Sequence, residues 1–108
     1  MLRASAEAND ETIDLRGVGD VSVDSGVRHG HVLGAVVEAA VLRDADEMDI
    51  ARERAVQALG SAGAVRAIAV TANFEMMNRL LDAVGIGPPA SRLAIGDAIG
   101  IPLPSRFR

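Results

Sequence analysis

Two groups of side chains in this sequence have the types and spacing that chemistry needs. His29 and His31 flank Gly30, and two imidazoles two residues apart offer a general base near neutral pH or two nitrogen donors for a metal ion. A metal site needs further ligands, and no third donor stands at an informative spacing, so no metal is expected and the competing role for the pair is capping or an interface contact. The second group is Thr71, Glu75, Asn78, Arg79 and Asp82. On a helix these form one polar stripe, with Glu75 and Arg79 at i,i+4 and Arg79 and Asp82 at i,i+3, so that one guanidinium is held between two carboxylates. Such a stripe serves either as a structural ion cluster or as a site where Glu75 or Asp82 moves a proton and Arg79 holds an anion. The candidate catalytic residues are therefore His29, His31, Glu75, Arg79 and Asp82. Phe74, Met76, Met77 and Asn78 are the candidate ligand contacts, because thioethers adapt to irregular ligands, although a methionine pair on such a helix also serves as core filler.

What is absent narrows the classes. The chain has no cysteine, which excludes thiol chemistry, disulfides and cysteine-ligated metals. The glycine-rich stretches Gly85-Ile86-Gly87 and Gly96 to Gly100 do not precede the elements that cradle phosphates, and the serines have no His and Asp arrangement for a triad; no cofactor is expected. All eleven basic residues are arginine, the net charge is −4 and only Phe74 and Phe107 are aromatic. Without a basic stripe or stacking rings, nucleic-acid binding is not expected. The first ten residues lack an apolar signal core, and no uninterrupted apolar run approaches the ~18 to 20 residues of a membrane span, so the expectation is a cytoplasmic protein without a membrane partner.

The elements that must position these residues are helical. Val32, Leu33, Val36, Val37, Ala40 and Val41 recur at three- and four-residue steps and predict a helix over 31–43. Asp46 is a candidate cap for a second helix over 46–59 with Met48, Ala51, Ala55, Val56 and Leu59 inward and Gly60 as its stop. Ser61 opens a third, over 61–84, closed by Gly85 ahead of Pro88-Pro89. It carries Val65, Ile68, Ala69, Ala72, Met76 and Leu80 on one face and Val70, Phe74, Met77, Leu81 and Val84 on an adjacent one, which is the width expected of a central helix. The fold class is thus all-α, with an irregular arm over 1–25, a helical domain over 26–86 and a packed Gly/Pro-rich tail over 87–108 that holds one short helix near 90–98. A domain of 108 residues with no large aromatic core gains from burial against a partner, so a homo-oligomer is expected.

The run from Ala64 to Ile86 resembles the last helix of the alkylhydroperoxidase-like, or carboxymuconolactone decarboxylase-like, superfamily: a small-residue helix carrying Phe74, the Asn78-Arg79 pair and the close Asp82-Ala83-Val84-Gly85. The segment from Asp46 to Leu59-Gly60 is similar to the penultimate helix, and the likeness covers roughly 33–86. It implies an all-helical fold assembling into dimers, trimers or hexamers. It also implies, in typical members, a Cys-x-x-Cys pair with a nearby Glu and His that reduces peroxides, and this chain lacks that motif. What remains is a non-catalytic or degenerate helical oligomer that binds a partner or a small apolar ligand. The alternative is an acid/base enzyme of the decarboxylase branch, acting on a small lactone or carboxylic acid with His29 or His31 as base. A third reading makes the chain an accessory to a larger enzyme, docking through the strip from Ile95 to Leu103.

Overall fold

A computed structural model describes residues 2–107, and every described element is a helix or a turn. Four α-helices follow one another: α1 Leu2–Ala8, α2 Gly30–Leu42, α3 Ala45–Ala83 and α4 Ala90–Ala98. Two 3-10 turns, Leu15–Val18 and Ser105–Phe107, complete the set. The all-α expectation holds. The arm is not irregular throughout, because Leu2–Ala8 is helical and closes with Glu11 N donating to Ala6 O at 2.8 Å. A helix of under two turns is too short for an apolar period to be legible.

Backbone chemistry explains where the helices stop. After α2, Arg43 adopts φ 56°, with Asp44 N donating to Ala39 O and Arg43 N to Ala40 O. After α3, Gly85 adopts φ 74°, with Ile86 N donating to Leu81 O and Gly85 N to Asp82 O. Both are left-handed closures of the Schellman type, which satisfy the last carbonyls. Asp44, not Asp46, caps the next helix: its Oδ1 accepts from Glu47 N at 3.0 Å. The pattern Asp44-x-x-Glu47 has capping-box spacing, and it places the cap two residues earlier than expected and the helix start at Ala45.

Within α3, Gly60 stands at φ 74°, ψ 169°. That region is essentially closed to residues with a Cβ, so α3 is two helical arms, 45–59 and 61–83, meeting at the glycine. The expected stop at Gly60 and restart at Ser61 describe this break.

The chain forms two compact units. One is His31–Gly87, where α2 and the two arms of α3 bury Val36, Ala39, Ala51, Ala55 and Ala64, flanked by Val32, Ala35, Met48, Leu59 and Ile68. Small side chains allow close helix approach, but they bring little area, and Val36 is the one large side chain fully buried among the described residues. Burial of such a side chain stabilises by about 1.5 to 3 kcal/mol.

The other unit joins the chain up to Gly30 with the segment from Pro88. Asp14, Asp20 and Asp24 each turn the chain there by accepting a backbone N–H two residues on, from Arg16, Ser22 and Gly26 respectively. Gly26 lies so close to Thr12 that a Cβ would sit 2.4 Å from its carbonyl oxygen. The C-terminal end of α4 is covered in the same way, since a Cβ at Gly96 would meet Ile101 O at 2.8 Å.

By length and composition alone, α3 is long and apolar enough to cross a bilayer. The expectation from uninterrupted apolar runs missed this because charges such as Arg66 and Glu75 are widely spaced among small apolar residues. A mostly buried core helix passes the same test, whereas only 11% of this window is buried, and the Gly60 break divides the helix.

Candidate ligand cleft

Glu75 and Arg79 lie on the second arm of α3, one turn apart, and face the end of α2 and the start of α3. They line a cavity of about 270 Å³ together with Val36, Ala40, Arg43, Met48, Ile68, Thr71 and Ala72. The cleft is therefore apolar at Val36, Met48 and Ile68, and charged at Glu75, Arg79 and Arg43. Two guanidiniums against one carboxylate leave it one positive charge in excess at neutral pH.

Each charged group owes its place to a local feature. Arg43 occupies the left-handed closing position of α2, a conformation that costs a side-chain-bearing residue about 1 to 2 kcal/mol. Arg79 Nη2 is 3.7 Å from Glu75 Oε2, a long ion pair in which the Glu75 side chain is 30% exposed and that of Arg79 is 61% exposed. An open pair of this kind contributes at most about 1 kcal/mol, so it leaves Arg79 able to exchange Glu75 for an incoming anion. Thr71 is already engaged, its hydroxyl donating to Ala67 O at 2.9 Å.

The remaining candidates fall elsewhere. Arg79 makes no ion pair with Asp82 among the described residues, so the expected carboxylate, guanidinium, carboxylate cluster is a single pair. Asp82 is exposed, and its carbonyl is what serves the helix close. Phe74, Met76, Met77 and Asn78 are exposed and outside the cleft lining, and the nearest polar contact there is the weak approach of Asn73 Nδ2 to Met77 Sδ at 3.8 Å. His29 stands at φ 58° and is exposed; His31, in the first turn of α2, is also exposed and does not line the cleft. Among the described residues, no three His, Asp or Glu side chains come close enough together to hold a metal ion.

Set against known protein families, curated proteins and solved structures, the chain matches none of them.

Sequence reasoning missed Arg43 and the apolar wall of Val36 and Met48. Both α2 and the first arm of α3 were recognised as helices, and their apolar stripes include Val36 and Met48. The missing step was the corner at Arg43-Asp44, which folds the two stripes over Glu75 and Arg79. The Asp44-x-x-Glu47 spacing was the signal that could have located it.

A second, larger hollow of about 550 Å³ lies in the other unit, lined by residues that include Asp14, Arg16, Asp24 and Ile99. Asp14 and Arg16 are already committed to each other, and Asp24 accepts from Gly26 N. Arg16 Nη2 is 2.6 Å from Asp14 Oδ2 and Arg16 Nε 3.0 Å from Oδ1. The side-chain and backbone hydrogen bonds from Arg16 lower the Asp14 carboxyl to about 2, and Asp14 in turn raises Arg16.

Proposed function

We propose that this chain is a non-catalytic or degenerate alkylhydroperoxidase-like helical oligomer whose cleft takes a small, mostly apolar ligand bearing one anionic group. The observation that carries the reading is the cleft itself, in which Arg43 and Arg79 converge on a cavity walled by Val36, Met48 and Ile68. A cavity of about 270 Å³ suits a ligand smaller than a drug-sized molecule. Guanidiniums recognise carboxylates through paired hydrogen bonds, and the aliphatic wall accepts a short hydrocarbon tail. Glu75 supplies the counter-charge that keeps Arg79 placed when the cleft is empty.

A binding role is favoured over acid/base turnover because the exposed His31 does not line this cavity and Glu75 already faces Arg79. The test is calorimetric titration with hexanoate and with hexanamide, which has a similar shape but no charge. Hexanoate is expected to bind and hexanamide to bind at least about tenfold more weakly, the loss expected for one charge-assisted hydrogen bond. Arg79→Gln should reduce hexanoate affinity by a similar factor. Arg43→Gly should do the same while leaving the fold as stable or more so, since glycine adopts φ 56° without strain. Equal binding of acid and amide would remove the guanidinium pair from the reading.

A further inference from the structure

Ala67, Val70, Phe74, Met77, Leu81 and Val84 recur along the second arm of α3 at alternating steps of four and three, the heptad spacing of a coiled-coil seam. Phe74 lies about 100° around the helix from Glu75 and hence outside the cleft stripe. This seam is left open: Val70 is 56% exposed, Phe74 50% and Val84 59%. A compact protein of 11.2 kDa exposes about 5,700 Å² and two separate bodies of half that mass about 6,900 Å². This chain exposes 8033 Å². The surplus of at least about 1,100 Å² exceeds the roughly 800 Å² that each partner buries in a standard interface.

We propose that this seam pairs antiparallel with the same seam of a second copy of the chain. The proposal rests on the oligomer reading above and names its contact surface. Antiparallel pairing stacks Ala67 on the second copy's Val84, Val70 on its Leu81 and Phe74 on its Met77. Each layer then joins a smaller side chain to a larger one or a ring to a thioether, a favourable contact. Parallel pairing would instead set Ala67 against Ala67 and Phe74 against Phe74, leaving one layer loose and another crowded. Charge selects the same direction: parallel copies place Arg66 level with Arg66, whereas antiparallel copies send the two Arg66 side chains to opposite ends. Glu75, at the middle of the seam's length, is level with its own copy in either direction and does not discriminate. The flanks of the seam are Thr71, Asn73 and Asn78, polar and uncharged, with the apolar Leu80 beside them and Arg66 at one end, so identical surfaces meet without repulsion once the two Arg66 side chains are held apart. A lipid occupant is disfavoured because Arg66, Glu75, Arg79 and Asp82 ride on the same helix and would enter the bilayer with it.

The absence of natural cysteine makes the test direct. Ala67→Cys and Val84→Cys proteins are mixed and oxidised, and light scattering follows the mass of the unmodified chain, Phe74→Asp and Val65→Asp, the last on the opposite face of the helix. The proposal expects a dimer, or a larger even assembly, for the unmodified chain and for Val65→Asp. It expects a dissociation constant raised about thirtyfold or more by Phe74→Asp, as for an interface hot spot. Cross-links should form between the two cysteine variants when mixed and not within either alone. Circular dichroism confirms that Phe74→Asp keeps its helices; should it unfold, Met77→Asp replaces it, and the cross-linking arm stands regardless. A monomer at all concentrations would overturn both the seam and the oligomer reading. An oligomer that survives Phe74→Asp, an odd-numbered assembly, or cross-links within Ala67→Cys alone would overturn the seam and leave the oligomer standing.

Discussion

At the scale of single residues, most of the well-formed polar contacts are short-range devices that turn the chain. Asp14, Asp20, Asp24 and Asp44 each accept a backbone N–H two or three residues on, as short acidic side chains do at turns and helix starts. Asp14 is the most strongly perturbed of them, because Arg16 bonds its carboxylate through side chain and backbone together. Its folded pKa lies below its unfolded one, so its contribution to stability is complete above the ordinary carboxylate range near 4. That contribution is lost as the pH falls through about 2. Carboxyl ¹³C shifts followed from pH 6 to pH 1 should show Asp14 titrating last among the aspartates, and Arg16→Gln should return it to the ordinary range. An unchanged Asp14 midpoint in that variant would mean that the guanidinium is not the cause.

At the scale of elements, the decisive feature is the break in α3. Gly60 has no neighbouring atom within 4 Å of where a Cβ would stand, so space is not what demands glycine there. The demand comes from φ 74°, ψ 169°, which a Cβ makes costly. Gly60→Ala is therefore expected to destabilise the fold by about 1 to 3 kcal/mol, read as a thermal midpoint lowered by several degrees. If the midpoint stays or rises, the two arms join as a straight helix at no cost and the break is not a constraint of the fold. The break matters to the cleft, because Met48 on the first arm and Glu75 and Arg79 on the second line the same cavity.

At the scale of the whole molecule, the imbalance is between a core made almost wholly of alanine and a surface rich in large apolar side chains. Ala39, Ala51, Ala55 and Ala64 are buried, while Val65, Met76 and Leu80 are all more than 60% exposed. The hydrophobic effect scales with the area removed from water, so burial within one chain recovers only part of what its composition offers. A second copy binding the folded but not the unfolded chain shifts the equilibrium by mass action, and the thermal midpoint is expected to rise with protein concentration. Scans from one to one hundred micromolar check this; a constant midpoint would point to folding as an independent monomer.

Local order was written into the sequence alone. Periodic apolar residues marked α2 and both arms of α3, glycines at 60 and 85 marked their ends, and Pro88-Pro89 marked the start of the segment that holds α4, because each signal acts within a turn or two of its own position. The lack of cysteine likewise closed off thiol chemistry before any fold was known. The cleft was only half legible: Glu75 and Arg79 announce themselves by i,i+4 spacing, whereas Arg43, Val36 and Met48 join them only through a corner formed by a left-handed arginine and an aspartate cap. The same holds for Asp82, whose i,i+3 spacing allows an ion pair with Arg79 that is not formed. Spacing along a chain states which side chains are able to meet, and packing between helices decides which do, because that depends on the angle at which each helix leaves its turn.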